Sequence, residues 1–143
     1  MNERVNHIRL TQENEVLEIV TSSDLEIQGI LYVGDRTHSF EAGPVTCGGS
    51  IIGDGLNAGV VKCQEHLLVS TANLQELSVG GDVEAEYILC ECGAFVLGDI
   101  KVGTMVSATH PVFCGGKFAG KFEGDPKMLH DHFDDWANLA KYL

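Results

Sequence analysis

The sequence predicts a mainly β chain: a solenoid of short coils, closed by one C-terminal amphipathic α-helix. Three observations lead there. A glycine-punctuated strand motif recurs at a spacing of about 16 residues. Its apolar positions line up in columns. The last nineteen residues then change to a helical spacing of apolar side chains. Residues 1–143 read as a single domain, with the solenoid over 1–124 and the helix over 125–143.

The motif reads Val45-Thr46-Cys47-Gly48-Gly49-Ser50-Ile51, then Leu77-Ser78-Val79-Gly80-Gly81-Asp82-Val83. It returns as Ala94-Phe95-Val96-Leu97-Gly98-Asp99-Ile100 and as Val112-Phe113-Cys114-Gly115-Gly116-Lys117-Phe118, with a looser copy at Ile30-Leu31-Tyr32-Val33-Gly34-Asp35-Arg36. The aligned glycines, Gly34, Gly49, Gly81, Gly98 and Gly116, are 15, 32, 17 and 18 residues apart, and 32 is two periods of 16. A repeat this short cannot bury its own apolar face, so neighbouring repeats must stack.

The columns give the inward side. Four residues before the glycine stand Ile30, Val45, Leu77, Ala94 and Val112; two before it stand Tyr32, Cys47, Val79, Val96 and Cys114. Two after it stand Ile51, Val83, Ile100 and Phe118, with Arg36 breaking the column. One after it, Asp35, Ser50, Asp82, Asp99 and Lys117 are all polar. This alternation is the period of a strand buried on one face. A count in sixes also holds between residues 90 and 119. Cys90, Val96, Val102, Ala108 and Cys114 share one place, and Ala94, Ile100, Val106, Val112 and Phe118 the other. Upstream the sixes fail at Ser78 and Glu84, so the coils are expected to be less regular there, and Gly53 to Glu76 is irregular by this reading. Nearer the N-terminus, Val16-Leu17, Ile19-Val20, Leu25-Glu26-Ile27 and Ile30 to Val33 read as strands.

Asp125 suits a helix cap and Pro126 its first position. Leu129, Phe133, Trp136, Ala140 and Leu143 then follow at spacings of 4, 3, 4 and 3, one stripe of a helix. The end of a solenoid exposes strand edges and apolar core. The helix is therefore expected either to dock on its own coil or to pair with another subunit, and its stripe is the candidate interaction surface.

Composition narrows the function classes. With 21 acidic and 9 basic residues the net charge is −12, which repels nucleic acid and anionic membrane surfaces. No apolar run approaches a membrane span and no secretory leader is visible, so a cytoplasmic protein is expected. The five cysteines, Cys47, Cys63, Cys90, Cys92 and Cys114, fall mostly on inward positions and read as reduced, buried thiols. Cys90-Glu91-Cys92 and Cys63-Gln64-Glu65-His66 are short ligand-like spacings, but a zinc site needs four converging ligands, and no metal or cofactor is expected. Among the histidines, His110 precedes Pro111 at an expected coil corner and reads as solvated, and His130 and His132 lie on the proposed helix without sharing a face. The Asp35, Asp82, Asp99 column reads as a solvated face. No catalytic residue is assigned.

The stretch Val79-Gly80-Gly81-Asp82-Val83-Glu84-Ala85 through Val96-Leu97-Gly98-Asp99-Ile100-Lys101-Val102 resembles bactofilins. That resemblance implies a bacterial β-solenoid that self-associates without nucleotide, with homo-oligomers and no enzymatic activity. The sixes over 90–119 also look like those of left-handed β-helix acyltransferases, which implies a trimer with a histidine general base, here His110, inside the sixes, or His66. The acidic charge leaves a third class, a small binding or inhibitor protein for a basic partner.

Overall fold

The computed structural model describes residues 7–10, 14–17, 19–20, 24–33, 40–41, 43–107 and 110–142. It is a parallel β-solenoid of about six turns. One sheet stacks eight short strands: His7–Leu10, Asp24–Ile27, Val45–Cys47, Val60–Cys63, Glu76–Val79, Ala94–Val96, Val112–Cys114 and Leu129–His130. A second sheet stacks the longer strands Asn14–Leu17, Leu31–Val33, Ile51–Asn57, Leu67–Leu74, Val83–Cys90, Ile100–Val106 and Phe118–Glu123, with Ile19–Val20 and Phe40–Glu41 beside that path. Every pairing is parallel, so each strand bonds the same part of the coil before and after it.

Each coil has three inward faces although it has two sheets. Along Leu67–Leu74 the buried positions are Leu67 and Val69, then Ala72 and Leu74, with two outward residues between them. Val83 and Ala85, then Ile88 and Cys90, repeat this. The break in alternation carries the strand around a corner, and the short strand supplies the third face. Register then stacks like on like. Val45, Val61, Leu77, Ala94 and Val112 form one buried column. Ile51, Leu67, Val83 and Ile100 form a second, and Leu56, Ala72, Ile88 and Met105 a third. Apolar columns remove their whole length from water at roughly 25 cal/mol per Å² of buried area, which a single coil could not do.

Four sequence expectations change. The stretch from Gly53 to Glu76 is regular solenoid: Val61-Lys62-Cys63-Gln64-Glu65-His66-Leu67 is the repeat missing from the 32-residue gap. The first copy is displaced. Leu25 pairs with Val45 and Ile27 with Cys47, so Gly29 lies beneath Gly49; Gly34, Asp35 and Arg36 fall outside the described residues. The sixes slip once, because Met105 and Ser107 are buried where Val106 is only half-buried; the corner after Val102 advances the inward position by three residues. Ala108 lies outside the described residues.

The fourth change is the C-terminal helix, which is absent. Asp125 does cap a turn, accepting a hydrogen bond from the Lys127 amide at 3.0 Å, with Pro126 at its start, but the turn is a single 3-10 turn, Pro126–Met128. Leu129–His130 then adds a rung to the short-strand sheet. His132 takes a positive φ of 51°, and the chain doubles back. Trp136–Tyr142 is 3-10 structure broken at Asn138. Strand pairing of Leu129 and His130 fixes that part of the stripe in extended backbone, which no continuous helix can share. Leu143 lies outside the described residues.

The slip at the corner is testable by urea denaturation. Met105→Ala should cost about 2–5 kcal/mol, as for a buried side chain whose cavity stays open, while Val106→Ala should cost less than about 1 kcal/mol. Equal losses at the two positions would put the inward column back on the count in sixes.

Candidate functional site

The most organised polar feature lies at the corner that follows each short strand. There the side chain after the glycine reaches to the coil that follows it in sequence and accepts a backbone hydrogen bond from the equivalent residue. The Ser50 hydroxyl accepts from the His66 amide at 3.2 Å, and His66 Nδ1 accepts from the Asp82 amide at 2.9 Å. Asp82 Oδ1 accepts from the Asp99 amide and Asp99 Oδ1 from the Lys117 amide, each at 2.8 Å. Because Nδ1 is an acceptor, the proton of the neutral His66 ring sits on Nε2. The polar column is thus a hydrogen-bonded ladder on an exposed face, where Asp82 and Asp99 meet both water and a neighbouring amide.

The ladder, together with the close approach of backbone carbonyls from the coil before, accounts for the glycines at Gly81, Gly98 and Gly116. A Cβ on Gly98 would fall on the Asp82 carboxylate oxygen, and one on Gly116 on that of Asp99; at Gly81 it would meet the His66 ring. The polar side chain of one coil occupies the space that a side chain at the glycine of the next would need. Where the coil before offers the shorter Ser50, Glu65 takes the glycine place, and the Ser50 hydroxyl donates to its carboxylate at 3.4 Å. Beside the ladder, His66, Leu68, Asp82, Glu84, Asp99 and Lys101 line an open depression of about 330 Å³. An open surface of this kind does not enclose a small molecule as ligand pockets do.

The second organised feature is aromatic. Residues facing outward on the short-strand sheet run Glu26, Thr46, Lys62, Ser78, Phe95, Phe113 and His130 in register. The last three stack: Phe95 on Phe113 with ring centroids 5.6 Å apart, and Phe113 on the His130 ring at 4.9 Å. The returning tail covers them. Phe133 packs on Phe113 at 4.8 Å and Trp136 meets Phe133 edge-on at 4.9 Å. Phe113 is fully buried although it faces away from the core. The tail also bonds the solenoid: the Phe133 amide donates to Cys114 O at 2.9 Å and the His132 amide to Gly116 O at 2.8 Å. In earlier coils the residue nearer the N-terminus bonds the first of these two acceptors, as Gly115 does to Val96 and Gly116 to Gly98. The order is inverted in the tail, so the chain there runs against the coil.

Of the candidate interaction stripe, the structure gathers Phe133 and Trp136 on the aromatic ladder. Leu129 sits half-buried against the core and Ala140 is exposed. Phe95 and Phe113 were legible in the repeat: they stand three residues before the aligned glycine, where Thr46 and Ser78 are polar. His66 joins the ladder once the 16-residue period is carried through Glu65.

Cys47, Cys63, Cys90 and Cys114 are buried; Cys92, expected inward, is exposed at the turn after Cys90. Cys63 pairs in register with Cys47, and the neighbouring Cys47 thiol, together with burial, pushes the Cys63 thiol up. Burial alone pushes Cys90 up to about 12. Cys63 also donates to Gly49 O and His66 O, and Cys114 to Gly98 O. The buried thiols serve as small core side chains, and those of Cys47, Cys63 and Cys114 add a weak bond to corner carbonyls. His66 and His110 stand at different corners: His66 beside Gly81 after the short strand, His110 beside Gly93 before it. Among the described residues no three His, Cys, Asp or Glu converge as a metal-ligand set, and no helix is long and apolar enough to cross a membrane. No protein-family model, curated protein or solved structure matches this chain.

The ladder predicts a graded response. Asp82→Ala should cost about 1 kcal/mol, because it exchanges the carboxylate acceptor of the exposed Asp99 amide for water. Asp82→Asn should keep most of the stability, because its amide oxygen still accepts. Thermal unfolding of the two variants checks this; equal losses would show that the carboxylate acts through its charge instead.

Proposed function

We propose that this chain is a structural or protein-interaction module, a solenoid that associates with copies of itself. The observation that carries this reading is where the polar side chains are used. Ser50, His66, Asp82 and Asp99, the side chains best placed to form a polar site, are bound to backbone amides of neighbouring coils. Their chemistry is that of holding a stack together. Three of the four buried thiols, Cys47, Cys63 and Cys114, likewise donate to carbonyls at the corners. A stack of this kind presents long, regular sheet faces and sheet ends, which suit contact with other proteins better than enclosure of a substrate. The bactofilin-like repeat over residues 78–120 supports the same role.

Multi-angle light scattering on the purified chain, followed over a wide concentration range, tests this reading. The expected result is a mass that rises above that of one chain as concentration increases. A mass of one chain at every concentration contradicts it.

A further inference from the structure

We infer that the edge strand Phe118–Glu123 is the docking edge for a second copy of this chain, paired antiparallel across a two-fold axis centred near Phe122. This rests on the self-association reading above and names the surface that would carry it.

The two sheets end differently on this side of the solenoid. The short-strand sheet continues through Leu129–His130, and the returning tail takes the Cys114 and Gly116 carbonyls. The long-strand sheet ends at Phe118–Glu123, whose strand neighbour lies on one side only among the described residues. A complete further coil has no continuous seat here, but a strand does. The edge is not uniform. Its register with Ile100–Val106 shifts after Lys101, and Gly120 has a φ of 139°, in a place where a Cβ would collide with the Val102 carbonyl. Beyond that irregularity Lys121, Phe122 and Glu123 pair regularly with Thr104, Met105 and Val106. This straight half is the part able to accept a partner.

Its side chains favour its own copy. Phe122 is half-buried, packs against the core and meets Phe118 edge-on with centroids 6.1 Å apart. Lys121 and Glu123 face outward and form an exposed ion pair at 3.2 Å. When two such edges meet antiparallel with Phe122 opposite Phe122, Lys121 of each copy lies opposite Glu123 of the other. Opposite charges directly across a strand pair are favourable and like charges are not. The alternative, parallel approach of the same two edges would turn the Phe122 side of one copy toward the charged side of the other. Only the antiparallel arrangement keeps both apolar faces together. An identical edge on both partners closes after two copies, so the product is a dimer and not a filament.

Sedimentation velocity of the full chain tests this with two exposed, charge-reversing variants. Wild type should show a reversible monomer–dimer equilibrium. Lys121→Glu alone and Glu123→Lys alone should each weaken association by about tenfold. A mixture of these two variants should recover a heterodimer, and the double variant Lys121→Glu/Glu123→Lys should recover the homodimer. Association that is the same in wild type and in both single variants overturns the edge assignment and leaves self-association standing. Failure of both the mixture and the double variant to recover overturns the antiparallel pairing. A wild-type chain that stays monomeric throughout overturns the self-association reading itself.

Discussion

In-register parallel stacking of coils is the constraint on which the rest of this molecule depends. A backbone N–H or C=O that points along the solenoid axis finds its partner in the neighbouring coil, and an unpaired buried group would cost about as much as a lost hydrogen bond. The register therefore cannot drift, and a side chain placed inward in one coil is repeated inward in the next. The uninterrupted column Val45, Val61, Leu77, Ala94, Val112 is a consequence of the backbone ladder as much as of hydrophobicity.

The same constraint couples neighbouring coils at the corners. Where strands end, the ladder would lapse, and Ser50, His66, Asp82 and Asp99 continue it with side-chain acceptors. At Gly81, Gly98 and Gly116 the long acceptor of the coil before fills the place a side chain would take, at the first two beside a backbone carbonyl, and after the short Ser50 that place is held by Glu65. In these three coils the polar residue and the glycine that follows it one coil later fit each other. At the C-terminal end a different device takes over: the chain reverses at His132, bonds the last corner carbonyls in inverted order and lays Phe133 on the aromatic ladder.

Much of this was legible in the sequence, for physical reasons that also mark where it stopped. The coils from Leu77 to Phe118 were readable because their glycines and apolar columns coincide. The coil at Val61 was hidden because Gln64-Glu65 replaces the glycine pair, and the fit of Glu65 after the short Ser50 is visible only when coils are stacked. The slip at Met105 was hidden because corner geometry, not strand alternation, sets it. The tail was misread because Leu129, Phe133 and Trp136 satisfy a helical spacing, whereas a rung followed by a reversal places Phe133 and Trp136 on one aromatic patch. Outward aromatics at Phe95 and Phe113 were the signal that something covers that face. The polar column was seen as a column, but its bonding was not, since one sequence does not tell whether an aspartate that faces water also meets an amide.

Hydrogen exchange resolved by residue in the folded protein tests the stacking account most directly. The Asp82, Asp99 and Lys117 amides lie at exposed corners outside any strand, and their protection depends on side-chain acceptors one coil away. Exchange nearly as slow as that of the flanking strand amides Val83 and Ile100 is the predicted result. Exchange as fast as in an unstructured loop would contradict the ladder and, with it, the view that the corners hold the coils together.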